Sequence, residues 1–419
     1  MTFSQANLHS LPRFSLRLLS VAGKLAGLLA FCLIGAEAAQ PQTLTVLHTF
    51  LGGLGDGGNP YGGLARDSAG NLYGTTEANG AGVSCPFGCG VVFKVDALGQ
   101  ETVLHSFAGS GKDGALPYYG DPLPTASGKF YGTTYQGGTF GAGTVYEFGS
   151  AGGERVIYNF MGGADGGFPW GGLIHDAAGN LYGTTSARGS GKACAYGCGT
   201  AFKLDRTGKF TLLHSFTGGT DGAYPLSRLV RDAVGDLYGT TEQGGGSGCG
   251  GAGCGTIFKI DSSGKESIVY AFAGPPDGQF PIGGLILDEA GNLYGTTLQG
   301  GFYGVGGTVF KIGPSGKEKM LYSFNLFAGD AGIPYGGLVR DTAGNLYGVT
   351  SSGGTAFVGA IFEISASGAE TVLYSFTGGA DGYGPYSDLI RDSAGNLYGT
   401  APQGGDPFCF CGTVFEFTP

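Results

Sequence analysis

Seven times along this 419-residue chain an aspartate stands four residues before a proline: Asp56 and Pro60, Asp113 and Pro117, Asp165 and Pro169, Asp221 and Pro225, Asp277 and Pro281, Asp330 and Pro334, Asp381 and Pro385. Gathered at one place, these carboxylates would attract cations or accept hydrogen bonds from a hydroxyl-rich ligand. Calcium is the conceivable metal, because it takes carboxylate and carbonyl oxygens, but the Asp-x-Asp-x-Asp loop of a dedicated site does not occur. No cofactor is therefore expected. Six of the seven acids are followed by Gly, and Asp-Gly is also a common turn dipeptide, so the residues are either a ligand-facing set or turn formers. Beside the prolines stand Tyr61, Tyr118, Trp170, Tyr335 and Tyr386, which either stack on sugar rings or pack between neighbouring repeats.

Cysteine is the second chemical signal. Apart from Cys32, the chain holds four close pairs: Cys85 and Cys89, Cys194 and Cys198, Cys249 and Cys254, Cys409 and Cys411. An even count in an exported chain points to local disulfides. The alternative is zinc held by neighbouring thiolate pairs, which lacks nearby histidine here. The pair Cys409 and Cys411 encloses a single residue and is the tightest.

No catalytic set emerges. His48, His105 and His214 share one repeat position with Tyr158, Tyr270, Tyr322 and Tyr374, an interchange that suits packing with a polar tip rather than proton transfer. His175 occupies a place held elsewhere by Arg66, Arg231 and Arg340.

At the N-terminus, Arg13, Arg17 and Lys24 precede an apolar run over residues 25–35 and then Ala36-Glu37-Ala38, the pattern of a secretory signal peptide cleaved near Ala38. Residues 1–38 are read as that peptide and 39–419 as one mature domain, with no membrane span. Without the leader the chain carries 19 basic and 31 acidic residues, a net charge of −12, which would repel phosphate backbones and argues against nucleic acid as a partner. Gly 89 and Pro 18 would suit a disordered chain, but Tyr 22 and Phe 29 with only 13% charged residues supply the apolar surface of a core.

The elements that must position these residues recur. A variant of Leu-Tyr-Gly-Thr-Thr appears with Tyr73, Tyr131, Tyr182, Tyr238, Tyr294, Tyr347 and Tyr398, at intervals of 51 to 58 residues, the range of propeller blades. Each unit reads as four short strands, here called A to D from the inside outward: residues 62–67, 71–76, 91–95 and 102–107 in the first unit. The A-to-B turn opens with Asp67, Asp176, Asp232, Asp288, Asp341 or Asp392, each followed three residues later by Gly, with Thr125 in the second unit; a side chain bonded to its own turn explains these acids. The chain begins with a lone D-type strand at residues 45–50 and ends with A, B and C of a seventh unit. Pairing these ends predicts a closed seven-bladed β-propeller, all-β, without the capping repeats of an open solenoid. Its variable B-to-C loops and Asp-bearing D-to-A loops would share one face, where ligand-binding residues are expected.

The runs Gly-Gly-Leu, Asp-x-x-Gly-Asn-Leu-Tyr-Gly-Thr-Thr and Gly-Thr-Val-Phe-Lys resemble the GloVer (Gloeo/Verruco-type) tandem repeat of exported bacterial proteins over residues 43–419. The A–B portion is more distantly similar to NHL-type propeller repeats. The resemblance implies export and tandem arrangement, with no defined activity. Together these readings predict a secreted or periplasmic monomer that binds a carbohydrate or protein without catalysis. The alternatives are a propeller-type lyase or hydrolase and a structural or adhesive surface protein.

Overall fold

The computed structural model describes residues 42–419 apart from Ala126, Ser150, Ala151 and Ala328; the expected signal peptide lies outside the described residues. Seven four-stranded antiparallel sheets follow one another along the chain. In the first unit the strands are Ala65–Arg66, Leu72–Thr76, Val91–Val95 and Glu101–Ser106. The inner strand is shorter than the expected 62–67. Only Ala65 and Arg66 pair with the B strand, because Gly62 and Gly63 bond outside their own sheet, Gly62 C=O accepting from Thr400 Oγ1 and Gly63 N–H donating to Asp121.

Closure follows the predicted route. Strand Thr43–Thr49 lies antiparallel to Thr413–Thr418, with Thr43 opposite Thr418 and Thr49 opposite Thr413, and completes the sheet of Leu397–Ala401 and Ile390–Arg391. The protein is a seven-bladed β-propeller whose first and last described strands share one blade, so no long strand edge is left unpaired where the ring closes.

Blade contacts repeat as faithfully as the sequence. A phenylalanine just after each D strand meets an aromatic ring on the C strand of the next blade: Phe50 with Phe93, Phe107 with Tyr146, Phe160 with Phe202, Phe216 with Phe258, Phe272 with Phe310, Phe324 with Phe362, Phe376 with Phe415. All seven pairs lie 4.9 to 5.3 Å apart at steep angles, the edge-to-face geometry aromatic rings prefer. The glycine of Leu-Tyr-Gly-Thr-Thr makes room for the C-strand ring. A Cβ at Gly239 would sit 2.6 Å from Phe258 Cζ, and at Gly295 2.7 Å from Phe310 Cζ. The tyrosine beside it donates its hydroxyl to the turn aspartate, as Tyr73 does to Asp67 and Tyr294 to Asp288. The acids at the A-to-B turns thus serve their own turns, where Asp67 also accepts from the Ala69 and Asn71 N–H groups.

At the outer edge of several junctions a glutamate from one blade faces the D-to-A acid of the blade before it. His105, Asp113 and Glu154 present ligating atoms within 4.8 Å of one another. Burial, with the neighbouring aspartate adding to it, pushes Glu101 and Glu318 up to about 7; burial does the same for Glu154. A carboxyl raised in the fold holds its proton where the unfolded chain has lost it, so stability falls as pH rises from about 4.5 to about 7 and levels off above. Thermal midpoints measured across that window should fall with rising pH, and E101Q/E154Q/E318Q should flatten the profile. In a second test, Gly239→Ala should lower stability by about 1–3 kcal/mol in chemical denaturation, from overpacking against Phe258.

Candidate functional site

The seven D-to-A aspartates do not open onto the central bore. Each carboxylate accepts a backbone N–H of its own loop, for example Leu51 to Asp56, Ala108 to Asp113, Met161 to Asp165, Thr217 to Asp221, Ala273 to Asp277, Asn325 to Asp330 and Thr377 to Asp381. Each also meets the polar tip of the D strand before it. Tyr158, Tyr270, Tyr322 and Tyr374 donate their hydroxyls at 2.9 to 3.1 Å, and the His105 and His214 imidazoles lie at 3.3 and 3.2 Å, His48 at 3.8 Å. The exchange of His for Tyr is thereby explained, since either can reach the same carboxylate. Burial alone would raise Asp56, Asp113 and Asp221, but the hydrogen bonds outweigh it and hold all three below the usual carboxylate range.

The residues after the prolines behave differently. Tyr61, Tyr118, Trp170, Leu226, Ile282, Tyr335 and Tyr386 take equivalent places in the seven blades, and five of the seven are aromatic. They adjoin one another around the mouth: Trp170 stacks on Tyr118 at 5.1 Å, Tyr118 lies 5.8 Å from Tyr61, Tyr61 5.6 Å from Tyr386, and Tyr386 4.4 Å from Tyr335. Trp170, Tyr335 and Tyr386 line a cavity of ≈ 430 Å³ together with Tyr119, Leu226 and Ile282, while Tyr61 and Tyr118 back that wall. The five aromatic candidates are thus brought together, and the seven acids are not among the lining residues.

The polar floor of this cavity was not singled out from sequence. Most units begin strand A with Gly-Gly, as at Gly171-Gly172, Gly283-Gly284 and Gly336-Gly337, but the second position is Asp121, Arg228 and Asp388 in units two, four and seven. All three line the cavity. Arg228 reaches across the bore to Asp388 at 3.7 Å, and both also border the cavity of the opposite face, so this ion pair divides the bore. Asp121 accepts from Gly63 N–H, and Asp388 from Gly337 N–H. Burial, then the Asp388 charge, drive the Asp121 carboxyl well above the usual range, against the pull of Arg228. Glu242, also lining the cavity, is raised by burial. The signal that would have found the site is the break in the Gly-Gly repeat, together with the extra residue Tyr119.

All eight cysteines outside residues 1–41 are paired as expected: Cys85–Cys89, Cys194–Cys198, Cys249–Cys254 and Cys409–Cys411 are disulfides, which leaves no free thiolates in these loops for zinc. The first of them brackets Phe87 and the second brackets Tyr196, which lines the central cavity. No helix among the described residues is long and apolar enough to cross a membrane.

Removing the Asp388 charge should lower the Asp121 pKa, and removing Arg228 should raise it further. Carboxyl-carbon NMR titration of Asp388→Asn and Arg228→Gln checks both directions.

The architecture is shared with solved propellers. The extracellular domain assigned to a hybrid two-component system of B. thetaiotaomicron is 13% identical, with a TM-score of 0.55 over 91% of this chain and 41% of that one. The extracellular domain assigned to a one-component system of the same organism is 10% identical, with a TM-score of 0.53 over 87% of this chain and 39% of that one. The chain thus spans about two fifths of the length of either. At these identities the likeness is one of fold. No curated protein sequence matches the chain. The family model of the Gloeobacter/Verrucomicrobia repeat matches residues 38–252, 83–306 and 196–415, so with its seven variants of Leu-Tyr-Gly-Thr-Thr the chain belongs to the Gloeobacter/Verrucomicrobia repeat family.

Proposed function

We propose that this is an exported binding propeller whose central cavity takes a carbohydrate. The observation that carries the reading is the asymmetric cavity itself: an apolar, largely aromatic wall of Tyr119, Trp170, Tyr335 and Tyr386 above a polar floor of Asp121, Arg228 and Asp388. Sugars present an apolar face to aromatic rings and hydroxyls to planar charged side chains, and ≈ 430 Å³ falls in the range of small-molecule sites. Export is supported by the four disulfides and by the leader pattern of residues 13–38.

One observation favours a second reading, a hydrolase or lyase. Asp121 and Asp388 sit in one cavity in unlike environments, Asp121 pushed toward the protonated form and Asp388 paired with Arg228. A carboxyl pushed toward its protonated form by burial, beside a second carboxyl held in an ion pair, is an arrangement general acid–base chemistry uses. The uniform use of the other blades as scaffold is compatible with either.

Screening on an immobilised glycan array, followed by titration calorimetry, tests the proposal. Trp170→Ala should weaken binding of the retained sugar by about tenfold or more, the loss expected of one stacked aromatic anchor. Retention of a sugar with unchanged affinity in Trp170→Ala would move the ligand elsewhere. Turnover of the retained sugar that is lost in Asp388→Asn, with binding preserved, would establish the second reading.

A further inference from the structure

A second cavity of ≈ 390 Å³ lies on the same face, between the loops of the first and second blades, lined by Asn59, Tyr61, Glu77, Ser84, Phe87 and Gln136 among others. Like the central cavity it offers aromatic rings for stacking with carboxyl and hydroxyl groups for hydrogen bonds, and it adds the carboxamides of Asn59 and Gln136. Tyr61 joins the two. It lines the lateral cavity, and its ring stands 5.8 Å from Tyr119 and 5.6 Å from Tyr386, both of which line the central one. Tyr61 and the Tyr119 and Tyr386 rings packed against it therefore form the wall between the two cavities.

Each cavity is bordered by an aromatic residue at the tip of a disulfide-closed loop. Tyr196, 71% exposed between Cys194 and Cys198, borders the central one; Phe87, 82% exposed between Cys85 and Cys89, borders the lateral one. The disulfides hold these rings in place before any ligand arrives, which lowers the ordering cost of binding. The wider face follows the same trend. Of the 18 exposed large apolar side chains among the described residues, 15 are on the D-to-A and B-to-C loops, and only Leu98, Leu212 and Val234 are elsewhere.

Charge narrows the ligand. These loops carry 12 Asp and Glu against four Lys and Arg, Lys112, Arg188, Lys192 and Arg228. Uronate or sulfated chains would meet a like-charged field. A second copy of this chain would bring the same acidic surplus against itself.

Resting on the reading of the central cavity as a sugar site, we infer that the ligand is an extended, uncharged oligosaccharide that occupies both cavities and crosses Tyr61 between them. A single sugar ring fills one cavity and leaves the other empty. A chain fills both, so affinity rises with its length until the lateral cavity is occupied and then levels off.

Titration of the full chain with cellulose-, laminarin- and starch-derived oligosaccharides, from one sugar ring upward, tests this. In the series that binds, affinity should rise by about tenfold or more with length before the plateau. Phe87→Ala combined with Glu77→Gln should remove that gain while leaving the shortest binding member unchanged, and Trp170→Ala should weaken every member alike. Phe87 is exposed, so Phe87→Ala alone, which should diminish the same gain, keeps the thermal midpoint of the parent; a matching midpoint shows that its loss is local. Binding that does not change with length, or a length dependence that survives the double variant, overturns the extended ligand while leaving the central sugar site standing. Absence of binding in all three series overturns both. Tighter binding of a uronate series than of the uncharged ones overturns the argument from charge.

Discussion

The edge-to-face contact between the phenylalanine after each D strand and the aromatic ring on the next blade's C strand is the interaction on which the rest of the structure depends. It recurs at all seven junctions within a spread of 0.4 Å, from 4.9 Å at Phe216–Phe258 to 5.3 Å at Phe376–Phe415. A ring of blades closes only if every junction turns the chain through nearly the same angle. A repeated aromatic pair of fixed size sets that wedge, and the glycine at the centre of each B strand admits it. The buried core is accordingly divided among the junctions, each cluster drawing on two adjacent blades, as when Phe50 and Val414 of the closing blade pack with Phe93 and Val95 of the first.

Upon this frame the loops are held by polar contacts of equal regularity. Each D-to-A acid ties the tip of one strand to the backbone of the following loop. The residue before each proline donates its N–H to a carbonyl of the preceding B-to-C loop, as Leu116 does to Cys89 and Tyr224 to Cys198. The loops that form the mouth of the bore are therefore rigid before any ligand arrives. Rigid loops suit stacking and hydrogen-bond recognition, because little ordering entropy is lost on binding.

Function departs from symmetry where structure can spare it. Strand A begins at the bore, where the glycines of some blades leave room for a longer side chain from another: a Cβ at Gly63 would lie 2.9 Å from Asp121 Oδ1, and one at Gly337 3.1 Å from Asp388 Oδ1. Asp121, Arg228 and Asp388 use that room. Drawn from three separate blades, they place two carboxylates and one guanidinium in a single floor, where burial and the Asp388 charge raise the Asp121 carboxyl above its usual range. The acids that the repeat multiplies sevenfold are structural, and the acids that break the repeat line the cavity.

The sequence by itself determined the architecture. Period, strand count and the unpaired end strands specify seven closed blades, because each rests on local patterns of β-branched, aromatic and glycine residues that no distant contact has to supply. The cysteine pairs were legible for the same reason, each lying within five residues along the chain, and so was the aromatic set after the prolines. The role of Asp56 and its six counterparts stayed open in the sequence, since Asp-Gly before a proline serves a turn or a ligand equally well. Only the tertiary structure decided which, by bringing the D-strand hydroxyl or imidazole to each carboxylate. It alone also assembled the cavity floor. Residues 121, 228 and 388 stand more than a hundred positions apart, and their meeting follows from the radius of the ring, a property of seven blades packed together and of no single repeat.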